Sequence, residues 1–382
     1  MNRLHVIGIG AVGTVRRIFH TLGVLAGVMA LVHADGVAQS PLSPAPSGRV
    51  RLDGLLAAYE RHEYAALDAA LADLKGRPSD AVTFVREVRG QLGQWPARTG
   101  AAVALEAAGA LLREAPTDVD DLLEAASRRV QRLGGDEGFR LAWYHAAVCV
   151  YQARPYALIG SDLRVDNELG NRPLETFLKL ARADYPADRV LAMAWAVLHE
   201  QRLYLEFWGN AVPSTLGVQP RPGSHVGPPS ARQLSDAAAR FDALRADPTL
   251  AAEATLRLGL VLYQQQAVAR ALILWTELDQ PESPSWLRYL ARLFSGHALA
   301  AGDRPAEARL RYREALALFP GAQAAGVPLA SLDFLAGDAD AAAALAERLL
   351  RGDTPEDPWL SYFFRDWEVL ADRVAALRKA LP

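Results

Sequence analysis

The sequence predicts an all-α protein in which antiparallel helix pairs stack into a solenoid. From Arg49 onward, apolar residues recur every three or four positions, and short segments separate these stretches. One helix-pair pattern occurs twice between Thr255 and Pro320. No stretch after Arg49 shows the alternation of apolar and polar residues that is typical of strands. Alanine supplies much of the 51% hydrophobic share, which favours closely packed helices.

Two segments share one spacing of small and aromatic residues. Gly259 precedes Trp275, and Gly296 precedes Tyr312 at the same separation. A glycine on the first helix lets the backbone of the second helix approach, and the aromatic side chain fills the space beside it. The two segments therefore predict two closely packed antiparallel helix pairs.

Small residues on the second helices repeat along the chain. Ala271 and Ala308 are 37 positions apart, and Ala308 and Ala342 are 34 positions apart. This spacing resembles the tetratricopeptide repeat (TPR), which has one helix pair per repeat and a period of about 34 residues. The resemblance implies an α-solenoid wound as a right-handed superhelix. In the third copy, Ala330 stands in place of the glycine and Ala346 in place of the aromatic residue.

The resemblance also implies where a partner would bind. In TPR proteins, the first helices of successive pairs line a groove that binds proteins or peptides. The equivalent positions in this chain are Glu253, Leu256, Leu260, Tyr263 and Gln264 in the first copy, and Leu293 and His297 in the second. We expect these side chains to be free of packing contacts and available to a ligand.

Residues 1–38 are predicted to be an export signal. Arg16–Arg17 precede the apolar run Leu22–Val32, which is too short to span a bilayer and has the length of a signal-peptide core. Ala34 and Ala38 end two candidate cleavage sites, and the arginine pair leaves both the general and the twin-arginine export routes open. We therefore expect a periplasmic or secreted protein, with no membrane span after signal removal.

Gly8–Gly13 supports a competing interpretation, because it matches the G-x-G-x-x-G pattern of dinucleotide-binding domains. That fold also needs alternating strands and helices and an acidic residue about 20 positions later, where Asp35 stands. However, a Pro/Ser-rich linker at residues 39–48 follows, and the chain beyond it has a helical pattern. We therefore favour the export signal and expect no cofactor.

Prolines and glycines divide the rest of the chain. Residues 49–208 are predicted to form an N-terminal helical-repeat region, and residues 209–230 a Pro/Gly-rich loop. TPR-like repeats are expected at residues 231–356. Residues 357–382 are expected to form capping helices, because a repeat array needs an atypical unit to cover its last apolar face.

Charge and cysteine usage exclude several classes of protein. A net charge of −3 lacks the basic excess that nucleic-acid binding requires. Cys149 is the only cysteine, so the chain has no internal disulfide. His145 would share a helix face with Cys149, and we interpret both as core residues, since two ligands do not make a zinc site. His199–Glu200 begins an H-E-x-x-H motif, but Leu203 replaces its second histidine.

The predicted function is that of an exported TPR-like scaffold that binds a protein or peptide partner in the cell envelope. We expect no catalytic, cofactor-binding or metal site. The alternative is an α-helical envelope enzyme that acts on glycan, of the lyase or transglycosylase type. Glu206, His145 and Asp162 would be its acid and base residues, provided that the fold brings them together.

Overall fold

The structure of the protein is a computed structural model. It describes residues 52–158, 167–209, 230–351, 357–359, 362 and 367–381. Within these ranges every regular element is a helix, and successive helices pack against each other in pairs. The predicted all-α class, with paired helices as in an α-solenoid, is therefore confirmed. Among the same residues, none of the helices combines the length and the apolarity that a bilayer crossing needs.

Several predicted segments lie outside the described residues. They are the export signal at residues 1–38 with its G-x-G-x-x-G motif, the linker at 39–48, and residues 210–229 of the Pro/Gly-rich loop. The assignments made for these segments stay predictions.

The described chain contains sixteen helices in two compact units. In chain order the helices are α1 (Leu52–Glu60), α2 (Ala65–Leu74), α3 (Pro78–Gln91), α4 (Ala97–Ala110), α5 (Pro116–Gln131), α6 (Glu137–Leu158), α7 (Asn167–Asp184), α8 (Arg189–Gly209), α9 (Ala231–Leu244), α10 (Ala251–Gln264), α11 (Val268–Leu278), α12 (Ser285–Ala301), α13 (Pro305–Leu318), α14 (Gln323–Leu335), α15 (Ala339–Arg351) and α16 (Trp367–Lys379). The first unit comprises the described parts of Asp35–Leu191 and Phe364–Pro382, and the second unit that of Ala192–Phe363.

Helix starts follow from local sequence. Pro78, Pro116 and Pro305 occupy the first turns of α3, α5 and α13, where proline removes no helical hydrogen bond. Ser230 caps α9 in a capping box. Its hydroxyl accepts from the backbone N–H of Gln233, and the Gln233 side chain accepts from the backbone N–H of Ser230. These signals separate consecutive helices and so allow each one to turn back on its neighbour.

The two predicted helix pairs are present in the second unit. α10 packs on α11, and α12 packs on α13. A Cβ atom built on Gly259 would lie 2.8 Å from Cε2 of Trp275, and one built on Gly296 would lie 2.5 Å from Cε1 of Tyr312. No other residue has room at these positions. Both aromatic side chains are fully buried.

The third pair, α14 and α15, uses a different contact from the predicted one. We expected Ala330 and Ala346 in the glycine and aromatic positions, but the close approach is made by Gly326 beneath Leu349. A Cβ atom on Gly326 would lie 2.5 Å from Cδ1 of Leu349. Gly326 is four residues, about one helical turn, before Ala330. The third pair therefore keeps a glycine contact, shifted by one turn and filled by a leucine.

The last helix packs within the first unit. Within residues 357–382, which the sequence predicts to form capping helices, α16 packs mainly on α6 and also on α4. Leu370 of α16 approaches Gly109 of α4 closely. On the last repeat pair, Phe334, Leu335 and Leu350 are exposed by 64%, 76% and 82%. These apolar side chains on α14 and α15 therefore remain in contact with solvent.

We predict that Gly259→Ala destabilises the second unit by about 1–3 kcal/mol, because the added methyl group overlaps the indole of Trp275. Gly90→Ala is the matched control. Gly90 lies on α3, and nothing lies within 4 Å of the Cβ atom it would gain, so this change should stabilise by about 0.5–1 kcal/mol. Chemical denaturation of both variants measures these effects. Equal effects in the two variants would show that the helix contact at Gly259 is not close.

Candidate functional site

A buried arginine organises the second unit. Arg257 lies on α10, and its side chain is only 2% exposed. A buried charge is costly unless it is paired and hydrogen-bonded. Arg257 donates from Nη1 to Oε2 of Glu200 over 2.6 Å, and from Nε to Oε1 of Glu253 over 2.9 Å. Two carboxylates, one on α8 and one on α10, therefore compensate its charge.

Tyr362 completes this group in three ways. Its hydroxyl donates to Oε1 of Glu200 over 2.6 Å, and its backbone carbonyl accepts from Nη2 of Arg257 over 3.1 Å. Its ring also faces the guanidinium, with the Arg257 Cζ atom 4.3 Å from the ring centroid. We call Glu200, Glu253, Arg257 and Tyr362 the Arg257 cluster.

Burial and charge pairing set the protonation of the Arg257 cluster. Burial acts to lower the pKa of Arg257, but Glu200, Tyr362 and Glu253 more than reverse this and raise it above its ordinary value. Burial raises the pKa of Glu200, an effect that Arg257 and the Tyr362 hydroxyl oppose. Burial and then the Glu200 charge raise the pKa of Tyr362, so its hydroxyl stays protonated and can donate.

Asp357 fixes the other end of the segment that carries Tyr362. Its Oδ1 accepts from the Tyr289 hydroxyl over 3.0 Å and from the backbone N–H of Trp359 over 2.9 Å. Its Oδ2 accepts from the backbone N–H of Ala324 over 2.8 Å. Asp357 therefore caps the helical turn that begins at Pro358 and satisfies a free N–H group in the first turn of α14.

Aromatic rings fill the space between these polar ends. Trp359 and Tyr362 stack with their ring planes 10° apart and their centroids 5.7 Å apart. Phe294 of α12 meets both rings edge-on, at 5.8 Å from Trp359 and 5.3 Å from Tyr362. The ring centroid of Trp275 lies 5.7 Å from that of Phe294, so these rings also contact the core between α10 and α11.

These contacts come from the first helices of three successive pairs. α10 contributes Arg257, α12 contributes Tyr289 and Phe294, and α14 contributes the backbone of Ala324. Together they hold Asp357, Trp359 and Tyr362, which we call the resident segment. The row of first helices thus binds a short stretch of chain through its backbone, its carboxylate and its aromatic rings.

Most of the predicted groove residues are buried rather than exposed. His297 is 8% exposed, and four further side chains are at most 6% exposed: Leu256, Leu260, Leu293 and Tyr263. For these five, the expectation that they are free of packing contacts is wrong, because their side chains are buried in the interior of the second unit. Glu253 is 21% exposed, and Gln264 is half-buried. The role of all seven in binding a ligand stays a prediction.

Two of the predicted residues have notable polar surroundings. Burial lowers the pKa of His297 to about 4, and its Nδ1 lies 2.7 Å from the Tyr312 hydroxyl. The Oε1 atom of Gln264 is buried and has no hydrogen-bond donor. A buried acceptor without a donor is uncommon in folded proteins. The side chain of Gln264 therefore carries the cost of one unpaired buried acceptor.

The residues proposed for the enzyme alternative are only partly described. The Nε2 atom of His145 lies 2.9 Å from Oδ1 of Asp188, which also accepts from the backbone N–H of Leu191 in the first turn of α8. Asp162 and the side chain of Glu206 lie outside the described residues. The described residues contain no group of three or more His, Cys, Asp or Glu side chains that could hold a metal ion.

Of the Arg257 cluster, sequence inspection singled out only Glu253 as a candidate binding residue, and it missed the pairing of Arg257 with Glu200 and Tyr362. Arg257 and Glu253 are an i,i+4 pair on an otherwise apolar helix, which was a usable signal, because a charged pair there needs a buried partner or an exit to water. Nothing local in the sequence indicates Glu200, which was noted only as part of an incomplete metal motif. Tyr362 lies within residues 357–382, which the sequence predicts to form capping helices.

The successive helix pairs define an all-helical protein with a repeat-like fold. No protein-family model matches the chain, and a search of the curated proteins finds no match either. A functional proposal therefore rests on the geometry of the site and on the sequence itself.

We predict that His297 makes the stability of the second unit depend on pH. Its pKa is about 4 in the folded state and about 6.5 when unfolded, so the unfolded chain binds more protons between these values. Stability is therefore lost as the pH falls from about 6.5 to about 4, by about 3 kcal/mol. His297→Gln should flatten this part of the profile, measured by urea denaturation.

The control is His62→Asn, which changes an exposed histidine on the first unit. This variant should keep the wild-type profile between pH 6.5 and 4. Identical profiles for wild type and His297→Gln would contradict the buried, neutral state of His297.

Proposed function

We propose that the protein is an exported TPR-like scaffold that binds a protein or peptide partner in the cell envelope and has no catalytic activity of its own. One observation carries the proposal. The first helices of three successive pairs bind the resident segment, which consists of Asp357, Trp359 and Tyr362. A surface that binds one short segment in this way has the chemistry to bind another.

The assignment to a TPR-like class rests on the repeated glycine contacts. Gly259 beneath Trp275 and Gly296 beneath Tyr312 occupy equivalent places in consecutive helix pairs. This equivalence agrees with the repeat spacing in the sequence. It supports a groove lined by first helices, which is where TPR proteins bind their partners.

The partner and its location are inferred from charge and from the N-terminal sequence. The arginine pair and the apolar run within residues 1–38 support export to the periplasm or beyond. A net charge of −3 favours a protein or peptide partner over nucleic acid.

Two predicted groove residues are partly exposed. The Glu253 side chain is 21% exposed and pairs with Arg257 at the edge of the Arg257 cluster. Gln264 ends α10 and is half-buried, although its Oε1 atom lies in the interior. The exposed part of each side chain is available for contacts with a partner.

Affinity capture from the envelope fraction of the native host tests this proposal. Wild-type protein is compared with the double variant Glu253→Gln, Gln264→Ala, and the captured proteins are identified by mass spectrometry. We expect one defined partner to be retained by the wild type and reduced about tenfold or more by the double variant, since a few central contacts carry most of the affinity.

The control is Tyr64→Ala, which removes an aromatic ring in the first unit. This variant should capture the same partner as the wild type. A partner retained equally by all three proteins would place the binding surface elsewhere. The absence of any partner specific to the wild type would contradict the scaffold function.

A further inference from the structure

The charge of Arg257 is balanced without Tyr362. Arg257 and Glu200 are paired directly over 2.6 Å, and Glu253 adds a second carboxylate. When Tyr362 leaves, no charge in the cluster loses its counter-charge, and water can replace the single hydrogen bonds that Tyr362 made. An uncompensated buried charge would prevent such an opening. The charges of Arg257, Glu200 and Glu253 therefore stay paired with each other when Tyr362 is absent.

The resident segment has the form of a compact helical ligand. Asp357 caps the turn that starts at Pro358, with proline in the position that suits a helix start. Trp359 and Tyr362 are three residues apart, so a single helical turn presents both rings on one face. Binding of a helix by anchors at such a spacing is a common mode of peptide recognition.

Each anchor of the resident segment meets its own complementary group. The carboxylate of Asp357 accepts from the Tyr289 hydroxyl, and Phe294 packs against the ring of Trp359. The Tyr362 hydroxyl donates to buried Glu200. A site built around such an acceptor discriminates strongly against a ligand that lacks the hydroxyl, because the buried acceptor is then left unpaired.

We propose that the resident segment is a tethered ligand that occupies the binding site, and that the partner displaces it with a helical turn of the same chemistry. That turn has a carboxylate at its N-cap, an aromatic ring two residues later, and a tyrosine three residues after that ring. This inference rests on the proposed scaffold function. It adds the identity of the recognised motif and the competition for the site.

Tethering sets how strongly the resident segment competes. A tethered ligand acts at an effective concentration on the order of 1 mM. A partner's apparent affinity equals its intrinsic affinity multiplied by the fraction of molecules in which the site is open. Weak segments of similar chemistry therefore do not bind, and only a partner that makes additional contacts displaces the resident segment.

The first unit offers a matched comparison. The Arg378 guanidinium lies 4.5 Å from the Tyr64 ring centroid and donates to Glu106, so it repeats the arginine, tyrosine and carboxylate chemistry. However, Arg378 also pairs with Asp68, which is 53% exposed, and its own side chain is 21% exposed. Tyr64→Ala therefore removes a similar contact outside the proposed site.

The test measures the binding of a fluorescently labelled synthetic peptide with the sequence of residues 355–364, by fluorescence anisotropy. The double variant Trp359→Ala, Tyr362→Ala removes both aromatic anchors of the resident segment. We expect this released variant to bind the peptide at least tenfold more tightly than the wild type. A peptide in which phenylalanine replaces the tyrosine should bind the released variant about tenfold more weakly.

Two further proteins complete this experiment. Arg257→Lys in the released background should lower peptide affinity at least tenfold, because lysine cannot donate to Glu200 and to a peptide carbonyl in the same fork geometry. Tyr64→Ala should bind the peptide no better than the wild type. Equal affinity of the wild type and the released variant would overturn the proposal, as would binding that is insensitive to Arg257→Lys.

A measurement on the unaltered protein avoids dependence on the folding of the variants. Excess peptide should raise the hydrogen-exchange rates of the Trp359 and Tyr362 amides in the wild type, because the resident segment is released. Unchanged rates at saturating peptide would overturn the displacement. If capture of a partner succeeds while these rates do not change, this inference fails and the scaffold function stands.

Discussion

A guanidinium group in a protein interior must keep its charge and satisfy its five N–H donors. This constraint explains the arrangement of the second unit around Arg257. Two carboxylates balance the charge, and a backbone carbonyl from Tyr362 takes a further donor. Removing one partner of such a buried pair typically costs about 3–5 kcal/mol, so the groups act as a set. The α8 helix, the α10 helix and the resident segment are thereby tied together through a single side chain.

Helix packing places these groups within reach. The glycine contacts at Gly259 and Gly296 bring each second helix close to its first helix. The first helices then follow one another, so that Phe294 and Tyr289 of α12 face the same segment as Arg257 of α10. The row of first helices that holds the resident segment therefore depends on small residues that are repeated at fixed spacing.

Sequence patterns predicted the parts of the structure that depend on neighbouring residues. Apolar periodicity predicted the helices, and the spacing of Gly259 and Trp275 predicted a close pair, because both depend on local geometry. The pairing of Arg257 with Glu200 and Tyr362 was not predicted, since Tyr362 is 105 positions from Arg257 and Glu200 is 57 positions away. No periodic pattern specifies a contact between such distant groups. The shift of the third contact to Gly326 was missed because the sequence was aligned by constant spacing.

Burial also explains why the predicted groove was only partly accessible. The repeat pattern identifies which helix faces its neighbours, but it does not separate the residues that pack from those that meet solvent. Leu256 and Leu293 lie on the predicted face and are fully buried, whereas Glu253 is partly exposed. Side-chain packing in three dimensions decides this division.

The central claim is that Tyr362 contacts Glu200 and Arg257 in solution, and a double-mutant cycle tests the contact with Glu200 directly. Glu200→Gln and Tyr362→Phe are measured singly and together by chemical denaturation. Because the Tyr362 hydroxyl donates to the buried carboxylate of Glu200, we predict a coupling energy of about 1–3 kcal/mol. Tyr59→Phe, which removes a hydroxyl that donates to Glu106, should combine additively with Glu200→Gln. Additivity within about 0.5 kcal/mol for Glu200 and Tyr362 would contradict the account.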